Sequence, residues 1–349
     1  MNKIKYKRVL FIGPDCKQPK GGIASVLHTY SMIFCPFNFI ASTKGGGMIR
    51  LFGCFILAFF KFIYYILNLR IKIIHIHGAS YGSFWRKAVF ILTAKIFRKK
   101  VIYHMHGGAF RVFAAKHTKI VPFILKKCDI IIALSEYWRS YFKDEMKCKN
   151  VAVVPNIIET PNEDHSIRPT DICNFLFLGK ICDNKGIFDL IDVISKNKKK
   201  YVHRMNLYIG GEGEVARLKK IISEYKLDDI IKYVGFVSGE RKVELLNKSH
   251  VYILPSYIEG LPISILEAMS YHLPVISTNV GGIPEILHDG VEGLVVEPGN
   301  RREIAEAIDA IISSEKIRNE MGCNGFKESI NHFPSEVEKE LNKLYSSLL

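Results

Sequence analysis

The strongest constraint in this chain is an alternation that runs through it twice: short β-branched runs, several ending in Gly, His or Ser, separated by stretches of helical character. Parallel strands need a long crossover between neighbours, and a helix supplies it, so the pattern specifies an α/β fold with parallel sheets covered on both faces. The first series predicts strands at 8–13, 71–77, 101–106, 130–135 and 151–155, with a helix over Ala24–Phe34. A polar stretch, Pro161–Pro169, has linker composition. Beyond it the series restarts at 175–179, 205–210, 231–234, 250–255, 274–278 and 293–296. The expected organisation is a Rossmann-like domain over 1–165, a second over 170–330, and a terminal helix over 331–349 that crosses back to brace the first.

With 48% hydrophobic and 24% charged residues the chain can bury two cores, which excludes a disordered protein. Its eight cysteines show no metal-ligand spacing and read as free thiols of a reducing compartment. The apolar run Val9–Ile12 is too short for a signal-peptide core, so the expected location is cytoplasmic.

Charge is strongly asymmetric. Residues 1–165 hold 26 of the 49 Lys and Arg but only 8 of the 34 Asp and Glu, and no carboxylate side chain lies between Asp15 and Asp129. Such a field attracts an anionic partner, and without an RNA or DNA motif, nucleic acid is not expected. The expected partner is an anionic membrane surface, with the protein peripheral on the cytoplasmic face of the inner membrane. Leu51–Leu67 is nearly all apolar but interrupted by Lys61, and is at or below the shortest spanning length. It reads either as a core helix or as one that also dips a face into the lipid interface.

Ligands of open parallel sheets bind beyond the carboxyl ends of the strands, which directs attention to the loops there. The most informative is PSYIEGLPISILEAM (255–269), followed by PVISTNVGGIPEIL. A strand hands over to a helix here, and the free amides of a helix start suit phosphate or sugar hydroxyls. Glu259 precedes the helix and Glu267 lies about two turns inside it, so the two carboxylates address different parts of one ligand. By contrast, Gly210-Gly211-Glu212-Gly213 lacks the spacing of a dinucleotide fingerprint and reads as a turn.

The Glu-x7-Glu pair in EGLPISILEAM, with PVIST-x-VGGIPEI after it, resembles the donor-binding signature of the family 4 retaining glycosyltransferases, whose fold is GT-B: two Rossmann-like domains facing across a cleft. The resemblance runs from Val9 to about Pro298. It implies that Glu259 binds hydroxyls of the transferred sugar, that Glu267 binds the ribose, and that amides of Gly260, Leu261 and Ile263 approach the sugar and diphosphate. FLFLGKICDNKG (175–186) resembles the strand-loop whose two basic residues meet the diphosphate. Lys185 matches the usual lysine, but Lys180 stands where the family has arginine, which keeps the charge and loses the bidentate fork. The resemblance also assigns Gly21 and Gly22 to a loop closing over the phosphate, His106 to the reacting region of the sugar, and the loop at Phe236 to the base.

The activity so implied is a retaining, metal-independent hexosyl transfer in bacterial surface polysaccharide (O-antigen or capsule) assembly. The donor would be a nucleotide-sugar, UDP favoured over GDP, and the acceptor a polyprenyl-diphosphate-linked saccharide. The alternative is a sugar-nucleotide epimerase on the same architecture. No cofactor and no metal are expected, since there is no Asp-x-Asp motif and the His-x-His pairs 75/77 and 104/106 have no carboxylate nearby in sequence. Ser135 either caps the helix that follows it or contacts a substrate.

Overall fold

The computed structural model describes residues 6–17, 21–161 and 172–349, the side chain of Met48 excepted. Most of the proposed linker, from residue 162 onward, lies outside the described residues. The chain divides into two compact units, 1–159 with 332–349, and 160–331.

The first unit is built on a six-stranded parallel sheet: β1 (Val9–Pro14), β2 (Asn38–Thr43), β3 (Ile73–Gly78), β4 (Lys100–Met105), β5 (Ile130–Ala133) and β6 (Val151–Val153). The order is β2-β1-β3-β4-β5-β6. β2 is not among the expected strands. It is an edge strand paired only to β1, and its sequence NFIAST carries little apolar signal.

Crossovers β2→β3, β3→β4 and β4→β5 run in one direction, so right-handedness puts their helices on one face. These are Met48–Leu67, Gly82–Ile96 and the pair Phe110–Ala115 and Ile120–Leu125. Strand side chains alternate between faces. Leu10, Ile12, Ile74 and Ile76 accordingly join Phe62, Phe84, Phe90 and Phe113 of these helices in one core. The opposite face carries Phe11 and His75, covered by Tyr30 and Phe34 and by Tyr345 from the helix Pro334–Leu348.

The second unit holds β7 (Cys173–Leu178), β8 (Met205–Gly210), β9 (Ile231–Gly235), β10 (Val251–Leu254), β11 (Val275–Thr278) and β12 (Gly293–Val296). Their order is β12-β11-β10-β7-β8-β9, again parallel. Counted within the unit this is the 3-2-1-4-5-6 order of the dinucleotide-binding fold, and the order reverses between β7 and β10. β7 and β10 pair at Val251 with Phe175 and Tyr252 with Leu176, so the two loops that follow them emerge side by side.

Candidate functional site

Both glutamates of the Glu-x7-Glu pair and the second basic residue lie at this reversal point. Glu259, in the loop after β10, is 8% exposed. Its Oε1 accepts from the Lys185 ammonium at 2.5 Å and from the Ser256 hydroxyl at 2.7 Å. Lys185 comes from the loop after β7, and Gly186 beside it explains how the loops come so close. Gly186 has φ +67°, and a Cβ there would meet the Pro255 carbonyl oxygen at 1.9 Å. The neighbouring amide of Tyr257 donates to the Asn184 carbonyl at 2.9 Å, which ties the two loops.

The glycines of NVGGIPEI support the same loop from beneath. Gly281 (φ +61°) leaves no room for a side chain against the Glu259 carbonyl oxygen, and the Gly282 amide donates to Gly260 at 2.6 Å. The helix begins at Ile263, with Pro262 as its N-cap residue. First-turn amides such as those of Ile263 and Ser264 have no partner inside a helix and carry its positive pole, so an anion is favoured there. Gly260 and Leu261, buried, complete the approach to that helix start. Glu267 lies about one turn inside the helix and not two as expected, because the helix starts only at Ile263, and it accepts from Lys242 Nζ at 2.5 Å. Each glutamate of the motif is thus held by one lysine.

Lys180 is exposed on the loop after β7. Phe236 follows β9 at the sheet edge, two strands out from β7, and is exposed. Sequence reasoning had no access to Lys242 or Ser256: the first is one charge on an ordinary amphipathic helix, Glu240–Lys248, and the second one serine in a turn.

In the first unit, β3 and β4 bring His75, His77, His104 and His106 together as a stack, with neighbouring ring centroids 4.2–5.5 Å apart. His75, His77 and His104 are fully buried. Burial depresses all four, reinforced by neighbouring rings for His75, His77 and His104 and partly opposed by the Asn156 hydrogen bond for His106; His75 and His106 fall to about 3. At neutral pH the rings are therefore uncharged, which fixes their hydrogen-bond roles. His106 Nδ1 donates to Asn156 Oδ1 at 3.1 Å, leaving Nε2 to accept from His77 Nδ1 at 3.0 Å. Both nitrogens of His106 are engaged within the unit, so contact with a sugar requires exchanging one of these bonds.

His75, His77 and His104 offer nitrogens within 4.8 Å of one another, the one metal-ligand cluster of its kind among the described residues. Their rings lie face to face at interplanar angles of 13–35°. His75 spends one nitrogen on the Tyr345 hydroxyl (2.7 Å) and faces His104 with the other (3.3 Å). His77 Nε2 and His104 Nε2 are buried without a hydrogen-bond partner among the described residues, whereas both nitrogens of His75 are engaged, so an ion here would have to displace a bond of His75 to gain it as a third ligand.

Nearby, fully buried Lys87 donates to Ser42, whose hydroxyl donates to the Gly13 carbonyl at 2.9 Å; burial lowers the Lys87 ammonium to about 7. Gly21, at φ +91°, is the N-cap of the helix Gly22–Ile33, and Ser135 caps the helix Glu136–Ser140 by accepting from the Trp138 amide.

Comparisons with known proteins agree with this division. The model described as glycosyl transferases group 1 matches residues 163–328, and that described as Glycosyltransferase Family 4 matches 41–161. A phosphatidylinositol N-acetylglucosaminyltransferase chain from Arabidopsis thaliana is 27% identical over 284 residues, 79% of this chain and 59% of that one. The chain therefore spans about three fifths of that relative. AmsD, an amylovoran biosynthesis glycosyltransferase of Erwinia amylovora, is 27% identical over 293 residues, 82% of this chain and 80% of that one. Among solved structures, Anabaena HepE in complex with UDP and glucose superposes with a TM-score of 0.76 at 16% identity, covering 98% of this chain and 99% of that one; the likeness is one of fold.

Proposed function

Since the chain belongs to the family 4 glycosyltransferases, we propose that it moves a sugar from a UDP-sugar donor, with retention of configuration, onto a lipid-linked saccharide during assembly of a bacterial surface polysaccharide. The observation that carries this reading is the pairing of Lys185 with Glu259 at the reversal point of the second sheet. Departure of a nucleotide diphosphate builds negative charge, and easing that charge is the main lever on the rate. Lys185, Lys180 and the amides of the helix Ile263–Ser270 put positive charge on the two adjoining loops, which supports a metal-independent step.

In this reading, donor binding exchanges partners. The diphosphate takes Lys185 from Glu259, whose carboxylate then accepts from sugar hydroxyls; Glu267 passes from Lys242 to the ribose in the same way. His106 orients the reacting face once one of its two hydrogen bonds is exchanged. The acceptor hydroxyl attacks from the side the diphosphate leaves, without a protein nucleophile. UDP is preferred to GDP because HepE was solved with UDP and glucose. The lipid-linked acceptor draws support from the phosphatidylinositol relative and the polysaccharide setting from AmsD.

Thermal melting with a panel of UDP- and GDP-sugars tests the donor. A true donor at 100 times its Kd should stabilise the protein by about 2.7 kcal/mol. Stabilisation by GDP-sugars alone would overturn the choice of UDP, and silence across the panel would overturn the donor site. Incubation with donor and no acceptor should leave the sugar unchanged; an epimerised product would convert the assignment to an epimerase.

A further inference from the structure

We infer that the helix layer on one face of the first sheet is a docking platform for an anionic bilayer, with the helix Met48–Leu67 lying in the plane of the interface. The helix is 20 residues long, about 30 Å, which by length and composition is enough to cross a membrane. Its packing argues against crossing. Ala58, Phe62 and Ile66 are buried in the core of the unit, and Phe62 meets Phe90 edge-on at 5.1 Å. A helix with one side fixed in a protein core cannot be surrounded by lipid.

None of the described residues covers the other side. Phe52, Leu57 and Phe60 are 66%, 72% and 69% exposed, and Ile49, Tyr64 and Leu67 extend the same stripe to both ends. Turned at about 100° per residue, these six side chains fall within an arc of about 140° on the side opposite Ala58, Phe62 and Ile66. The stripe does not stop at this helix. Gly82–Ile96, packed beside it, exposes Leu92 and Ile96, and Ile120–Leu125, packed beside that one, exposes Ile120 and Phe123. Three adjacent helices therefore present large apolar side chains outward, more than scattered surface hydrophobes explain.

Charge decides what covers this face. Arg50 and Lys61, about three turns apart, lie along one border of the stripe, and Lys61 turns its ammonium back to the Phe39 carbonyl at 3.4 Å instead of outward. Lys116, Lys119, Lys126 and Lys127 are exposed beside Ile120 and Phe123. No acidic side chain falls between residues 16 and 128. Two copies meeting through this face would oppose like charges with no carboxylate to separate them. A bilayer carrying anionic head groups satisfies both requirements, taking the apolar face below the head groups and the lysines among them.

Co-sedimentation of the full chain with vesicles of phosphatidylcholine, with and without phosphatidylglycerol, tests this. The expected result is binding to the anionic vesicles that weakens with salt and is reversed by a high-salt wash. Phe52→Ser, Leu57→Ser and Phe60→Ser together should lower the partition at least about tenfold. Lys119→Glu with Lys126→Glu should lower it about fivefold or more for each cation near the surface. Circular dichroism and the melting temperature of each variant, unchanged from the parent, establish that it is folded. The inference fails if the parent stays in solution at low salt, or if the serine variant partitions as the parent does. It also fails if protein survives alkaline extraction as a spanning helix would, or if the parent is a dimer that the serine variant dissolves without vesicle binding. No sugar nucleotide enters the test, so its failure leaves the proposed reaction standing.

Discussion

Lys185 and Glu259 are chemically a ligand site and structurally an ion pair. Glu259 is almost wholly withdrawn from water while Lys185 retains 24% of its side-chain exposure. Removing the lysine strands a buried carboxylate, and removing the acid strands an ammonium that water still partly reaches, so the two deletions are unequal. Lys185→Ala should destabilise the second unit by about 1–3 kcal/mol, less than a fully buried pair because water still reaches the lysine. The double change Lys185→Ala with Glu259→Ala should recover part of the loss. Urea denaturation of the four proteins in a double-mutant cycle measures the coupling, and additive losses would contradict it. The sequence alone carries no sign that the two side chains bond to each other. For the reaction, Glu259→Gln keeps the shape and the Ser256 contact but weakens acceptance from sugar hydroxyls. Transfer by this variant should fall about 100-fold or more, read as kcat/KM, and normal turnover would remove Glu259 from the proposed machinery.

Strands β3 and β4 place three imidazoles inside a sheet and the turn after β4 stacks that of His106 on them, and pH should expose what that costs. Their folded-state pKa values lie below the ordinary value near 6.5. Between the two values the unfolded chain binds protons that the folded chain refuses, so stability falls as pH falls. Each histidine contributes a slope of about 1.4 kcal/mol per pH unit once the pH is well below 6.5, and the contribution is complete only near pH 3 for His75 and His106. Urea denaturation between about pH 7 and 5 should show a steep loss from the first unit, and His75→Phe should make the profile shallower by about one proton. A flat profile would mean that the rings are solvated.

The strands that bear these rings were legible because parallel strands buried on both faces read as continuous apolar runs. β2 was not, since an edge strand with Asn, Ser and Thr in six residues lacks that run. The helix start at Ile263 was legible from local motif chemistry, whereas the lysines holding Glu259 and Glu267 come from elements 74 and 25 residues away. Local patterns report backbone conformation; partners brought in by topology leave no mark in spacing.

At the scale of the whole molecule, the terminal helix Pro334–Leu348 belongs to the first unit although the second unit precedes it in the chain. Val337, Leu341 and Tyr345 are fully or almost fully buried, and Tyr6 donates to Glu338 on the same helix. Burying three such side chains is worth about 5–9 kcal/mol before losses are counted, comparable to the net stability of a domain. Ending the chain at residue 333 should therefore unfold the first unit selectively. Limited proteolysis should degrade it while leaving a resistant fragment near 160–331, and equal loss of both units would show that they do not fold independently.

That wiring sets a timetable for synthesis. The helix that seals Phe11, Phe34 and His75 leaves the ribosome only after the roughly 170 residues of the second unit have been translated, an interval of about 10–35 s at ordinary elongation rates. Throughout it the nascent first unit carries an unsealed aromatic face, which makes that unit, begun first, the last to be finished.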